Sequence, residues 1–168
     1  MNTEIKRIRT SVRALLFLFI LCLVISGLTA IPVASELFFS LQSLPQDSAL
    51  YSLLKKVLFA VTETQNNFPF LFYGYDWLSF AHIIIAMAFI GPYREPVRNI
   101  WVIEFGMLAC VCVIPFALIA GGLRGLPFWW RLIDCSFGIM GFIPLWICYS
   151  KIKVLEKLTA AEYLNTIF

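Results

Sequence analysis

The sequence predicts an all-α integral membrane protein: a four-transmembrane-helix bundle with an amphipathic interfacial helix in the connection between its first and second spans. Three observations predict it. The chain of 168 residues is 61% hydrophobic and 14% charged, whereas a soluble domain carries about 25% charged residues. Its mean hydropathy is +0.86. The apolar excess is gathered into four long blocks, as membrane spans require. The length suits a single membrane domain covering residues 1–168.

The first span is expected over about 14–35. Residues 1–13 carry Lys6, Arg7, Arg9 and Arg13, and Ala14 to Ser35 carries no charge. A basic start followed by "VAS" resembles a cleaved signal peptide. The apolar run of about twenty residues exceeds the usual 7–15 of a signal segment, so it is read as a retained span.

The connection that follows contains the interfacial helix, expected over about 47–62. Leu50, Leu53, Leu54, Val57, Leu58 and Val61 recur at helical spacing and form one apolar stripe. Lys55 and Lys56 fall off that stripe, and Asp47 is placed to cap the N-terminus. A helix of this kind lies at a membrane surface or on the bundle. The aromatic segment "NNFPFLFYGYDW" favours the lipid–water interface.

The second span is expected over about 77–90, short for a crossing, and holds the chain's one histidine, His82. "GPYREPVRN" turns the chain, with Pro96 suited to the first position of the next helix and Glu95 to its cap. The third span is expected over about 97–119 and contains Glu104 and Pro115. "AGGLRGLP" reads as a glycine-rich turn. The fourth span is expected over about 128–149, followed by a basic tail.

Orientation follows from the distribution of lysine and arginine. Lys6, Arg7, Arg9, Arg13, Arg94, Arg98, Lys151, Lys153 and Lys157 share one side, against Lys55, Lys56, Arg124 and Arg131 on the other. Both termini are therefore expected to be cytoplasmic, in a multi-pass protein of the cell membrane, the inner membrane in a bacterium. The net charge of +3 comes without a basic patch of the kind nucleic acid needs. The expected partners are the lipid bilayer and either other membrane subunits or a second copy of the chain. Nucleic acid is not among them.

The polar residues sort into two layers. The outer one holds Tyr75, Asp76, Ser79, His82, Arg124, Arg131 and Asp134. Arg131 and Asp134 sit at i, i+3, and with Gly138 and Gly141 they share a helix face. Glycines admit a close neighbour, so that face is expected inward. Ser79, His82 and Ala86 form a similar stripe on the second span. Asp134 is expected as a hub, bonded by Arg131 and approached by His82. Such a constellation either locks helices together or binds a ligand and handles protons. In the inner layer Glu104 is expected to form a structural ion pair with Arg94 or Arg98.

Other chemistries find little support. One histidine cannot supply two axial haem ligands. The five cysteines contain no CxxC pair and lie in apolar blocks, as buried thiols do. No metal site is expected, and no cofactor is indicated. Three functions remain: a non-enzymatic binding, accessory or complex-subunit protein with an outward-facing intramembrane polar site; a small solute or proton transporter or channel acting as an oligomer; and a membrane enzyme acting on a lipid or lipoprotein head group.

Overall fold

The computed structural model describes residues 2–167, with side chains from Thr3 to Tyr163. Among the described residues the chain is helical and has no strand. Its helices are α1 (Asn2–Ala30), α2 (Val33–Gln42), α3 (Ala49–Asn67), α4 (Phe72–Ala88), α5 (Ile90–Arg94), α6 (Ile100–Leu123) and α7 (Phe128–Ile167). A short 3-10 turn over Pro69–Leu71 leads into α4. Four stretches are long and apolar enough to cross a membrane: Thr3–Ala30, Pro69–Arg94, Ile100–Leu123 and Phe128–Tyr163. At 1.5 Å per residue, α6 alone would be about 36 Å long, against a hydrocarbon layer of about 30 Å.

The helices group into two compact units, Met1–Leu21 with Met87–Phe168, and Cys22–Ala86. The first unit contains most of the core. Leu16, Phe89, Ile103, Leu145, Ile152 and Leu155 are all fully buried. They come from α1, the N-cap of α5, the start of α6, and the middle and second half of α7. Phe19 packs on Phe89 with ring centroids 4.8 Å apart. Gly106 makes this possible. A Cβ there would lie 2.7 Å from Phe89 Cζ and 2.9 Å from Leu145 Cδ1.

α6 and α7 form an antiparallel hairpin. Gly106 meets Leu145, Cys110 meets Gly138 and Gly141, and Gly121 meets Arg131. At Gly138 an added Cβ would stand 2.6 Å from the Cys110 carbonyl oxygen. The backbones approach this closely because the residue has no side chain. Pro115 and Pro144 lie inside these helices, each removing one helical N–H.

In the second unit α2 and α3 pack together as a hairpin. The α3 stripe from Leu50 to Val61 is half-buried, as are Leu37 and Leu41 of α2. Neither helix buries a residue fully. Ser48, not Asp47, caps α3: its hydroxyl accepts from the Tyr51 N–H at 3.1 Å. The second half of α1 meets α4 at Gly27, where a Cβ would lie 2.8 Å from the Ser79 carbonyl oxygen.

Several boundaries differ from expectation. α1 begins near the N-terminus and ends at Ala30, and the chain turns at Ile31–Pro32 into a separate α2. The span holding His82 starts in the aromatic segment and reaches Arg94, which removes its apparent shortness. α6 starts at Ile100 with Asn99 as N-cap residue, so Pro96 does not open it; Pro96 is buried in the preceding turn. α7 runs on through the basic tail because Ile152 and Leu155 are core residues. Cys135 and Cys148 are buried, but Cys22 and Cys112 face outward.

Candidate functional site

Arg131 stands in the first turn of α7, opposite the C-terminal end of α6. Its Nε donates to the Leu126 carbonyl at 3.1 Å and its guanidinium NH1 to the Leu118 carbonyl at 3.4 Å. The guanidinium also lies 5.6 Å from the centre of the Phe128 ring. The space for it is made by two glycines. A Cβ on Gly121 would come within 2.8 Å of Arg131 Cγ, and one on Gly122 within 3.0 Å of NH1. The last carbonyls of a helix have no intrahelical donor. A guanidinium with five N–H groups is well suited to serve carbonyls around such an end.

This arrangement corrects the expected Arg131–Asp134 pair. Among the described residues the ion pairs within 4.0 Å are Arg98–Glu95 and Lys153–Glu156. Arg131 turns back toward the 124–127 turn and α6 instead of along its own helix. Asp134 is half-buried, and its carboxylate makes no hydrogen bond within its own unit among the described residues. It lies six residues into α7, about 9 Å along the axis. The face it shares with Gly138 and Gly141 does point at α6.

His82 belongs to the second unit. Its Cβ would sit 3.1 Å from a side chain at Gly27. Its Nδ1 lies 2.8 Å from the Leu78 carbonyl oxygen. A carbonyl only accepts, so this contact requires a hydrogen on Nδ1. Ser79, on the same face, is buried and bonds the Tyr75 carbonyl at 3.3 Å. Asp76 is exposed and lines a shallow cleft of about 300 Å³ with Tyr73, Trp77 and Phe80. The rings pack edge to face, Tyr73 to Trp77 at 6.1 Å and Trp77 to Phe80 at 5.7 Å. Arg124 is exposed at the C-terminal end of α6.

The expected ion pair of Glu104 with Arg94 or Arg98 is not formed. Arg98 lies 3.7 Å from Glu95 in an exposed pair. Glu104 is exposed on α6 and only about 6 Å from the helix start at 1.5 Å per residue.

Residue by residue, sequence reasoning missed the contacts of Arg13 and Lys151. Arg13 Nε donates to the Tyr93 carbonyl at 3.1 Å and NH2 to the Arg94 carbonyl at 3.2 Å. Lys151 Nζ donates to the Ser11 hydroxyl. Both were legible only as positive charge near a membrane surface, because their partners lie some eighty and 140 residues away. Compared with known proteins, the chain matches no family model, no curated protein and no solved structure.

Proposed function

We propose that this chain is a small multi-pass membrane protein of the cell membrane, with cytoplasmic termini, acting as a non-enzymatic binding or accessory subunit. One observation carries the reading. The strongest intramembrane cation, Arg131, is engaged with backbone carbonyls of its own hairpin at 3.1 and 3.4 Å. A transport or catalytic cation would have to be presented to a solute or substrate. His82 likewise directs Nδ1 to its own helix, and Cys135 directs its thiol to the Ile114 carbonyl at 3.8 Å. These polar groups satisfy backbone carbonyls, and Arg131 and Cys135 also tie α7 to α6.

The Asp134 carboxylate, half-buried on α7, is then left for a partner, on the side we assign as external. A neighbouring span carrying a donor would meet Asp134 from within the bilayer. The broad apolar surface, with Phe105, Phe116 and Phe137 each more than half exposed, supports lipid or partner helices as its surroundings.

The test is purification in mild detergent followed by native mass spectrometry. An accessory subunit is expected to run with a second membrane protein and to lose it in Asp134→Ala. If the chain instead runs alone and, in proteoliposomes, carries a solute or proton flux that His82→Phe abolishes, the transporter reading replaces this one.

A further inference from the structure

A second cleft, of about 470 Å³, lies between α1 and the α5–α6 turn. Arg9 of α1 lines one side, and Arg94, Glu95, Pro96, Val97 and Arg98 of the α5–α6 turn line the other. All belong to one compact unit. Pro96 is buried and Val97 half-buried, while the three arginines are exposed. The cleft thus has an apolar floor and a cationic rim.

The rim is held in place from behind. Arg13, one turn along α1 from Arg9, donates to the Tyr93 and Arg94 carbonyls and sits 5.9 Å from the Tyr93 ring centre. From the other side Asn99 Nδ2 donates to the Gly91 carbonyl at 3.2 Å and the Glu95 carbonyl at 3.0 Å. These bonds fix the turn relative to α1 and leave the Arg9, Arg94 and Arg98 guanidinium groups on the cleft side.

We propose that this cleft binds the phosphate of an anionic lipid headgroup. Arginine forks match phosphate oxygens in pairs, and three from two segments can surround one phosphate. Basic pockets between spans on the cytoplasmic side are suited to such headgroups. The lipid source, as opposed to free phosphate, is favoured by position. The cleft lies at the ends of three candidate spans. Trp101, 63% exposed, and Phe105, 57% exposed, follow it directly on α6, where a tryptophan marks the lipid–water boundary. Glu95 opposes the anion, but its pair with Arg98 is solvent-exposed at 3.7 Å, and such pairs are weak enough to exchange for phosphate.

The inference rests on the membrane reading, so alkaline carbonate extraction of native membranes comes first. Release of the chain there overturns that reading itself. With an integral chain, the detergent-purified full-length protein is titrated with phosphatidylglycerol, with phosphatidylcholine of the same acyl chains, and with inorganic phosphate. The complexes are counted by native mass spectrometry. Wild type is expected to prefer phosphatidylglycerol. At roughly five-fold per arginine, Arg94→Gln with Arg98→Gln should weaken it about twenty-five-fold and Arg9→Gln about five-fold. Glu95→Gln should strengthen it, a change of opposite sign that misfolding does not produce. Lys55→Gln with Lys56→Gln alters the net charge equally and should leave it unchanged. Equal retention of the two lipids, or an unchanged affinity in the double arginine variant, overturns the proposal. So does inorganic phosphate binding as tightly as the lipid, which would make this a site for the free ion.

Discussion

The two ends of the α6–α7 hairpin are held by different physics. At the end away from the 124–127 turn, large side chains from four segments interlock: Leu16, Phe89, Ile103, Leu145, Ile152 and Leu155. At the turn end the buried residues are small, Ala117, Gly121, Cys135 and Gly138. There the helices close to backbone contact, and one guanidinium serves the Leu118 and Leu126 carbonyls. The first end needs many neighbours, which α1 and α5 supply. The second needs few atoms and one well-placed charge. In a bilayer, lipid is as apolar as leucine, so packing and satisfied polar groups remain the main ways to hold helices together. This hairpin uses one at each end.

The largest effect should come from the packed end. Leu145→Ala removes a fully buried side chain wedged against Gly106 and is expected to cost about 2–5 kcal/mol. Gly106→Val attacks the same contact by overpacking and should cost about 1–3 kcal/mol. Thermal unfolding in mild detergent measures both. If Leu145→Ala leaves the melting temperature unchanged, the two ends do not differ in the way described.

The turn end should respond less, and to a different residue than the spacing of its charges implies. Arg131→Gln strips charged hydrogen bonds from the Leu126 and Leu118 carbonyls, and such bonds contribute about 1.5–3 kcal/mol. Asp134→Asn should change stability by no more than about 0.5 kcal/mol, because no ion pair is lost. An Asp134 effect larger than the Arg131 effect, in the same melting assay, would restore the intrahelical pair and remove the distinction between a carbonyl clamp and a charge hub.

Much of the architecture was legible in composition alone. Long uncharged runs announce spans because few other structures tolerate them. The inward face of Gly138 and Gly141 was legible because small residues at helical spacing have few other uses. The boundaries were less so, for reasons that lie in distant contacts. Lys151, Lys153 and Lys157 read as a tail after a span, yet α7 continues through them. It does so because Ile152 and Leu155 are buried and Cys148 and Lys151 bond α1. Pro32 was hidden inside an apolar run although it separates α1 from α2. Arg131 was paired with the nearest carboxylate, as spacing invites. The competing signal was Gly121-Gly122, a notch across the turn that a long cation can fill.

The smallest effect is expected at Glu104, which shares the packed end with the core but takes no part in it. A carboxylate in a candidate span invites the view that it is a buried anchor. That view rests on depth, and the depth is not there: α6 begins at Ile100, which places Glu104 about one turn from the helix start. Its neighbours Val102 and Ile103 are buried and Glu104 is exposed, so it lies on the outer flank of a helix whose inner flank makes the core. Arg98 is engaged with Glu95, and Lys153 has Glu156 at 3.2 Å. Neither cation depends on Glu104 for a partner. Glu104→Gln keeps the shape and removes only a charge that no cation pairs with among the described residues, so the melting temperature should correspond to a change within about 0.5 kcal/mol. A loss as large as that of Arg131→Gln would mean that Glu104 is turned inward in the membrane. The packed end would then be held by charge as well as by shape.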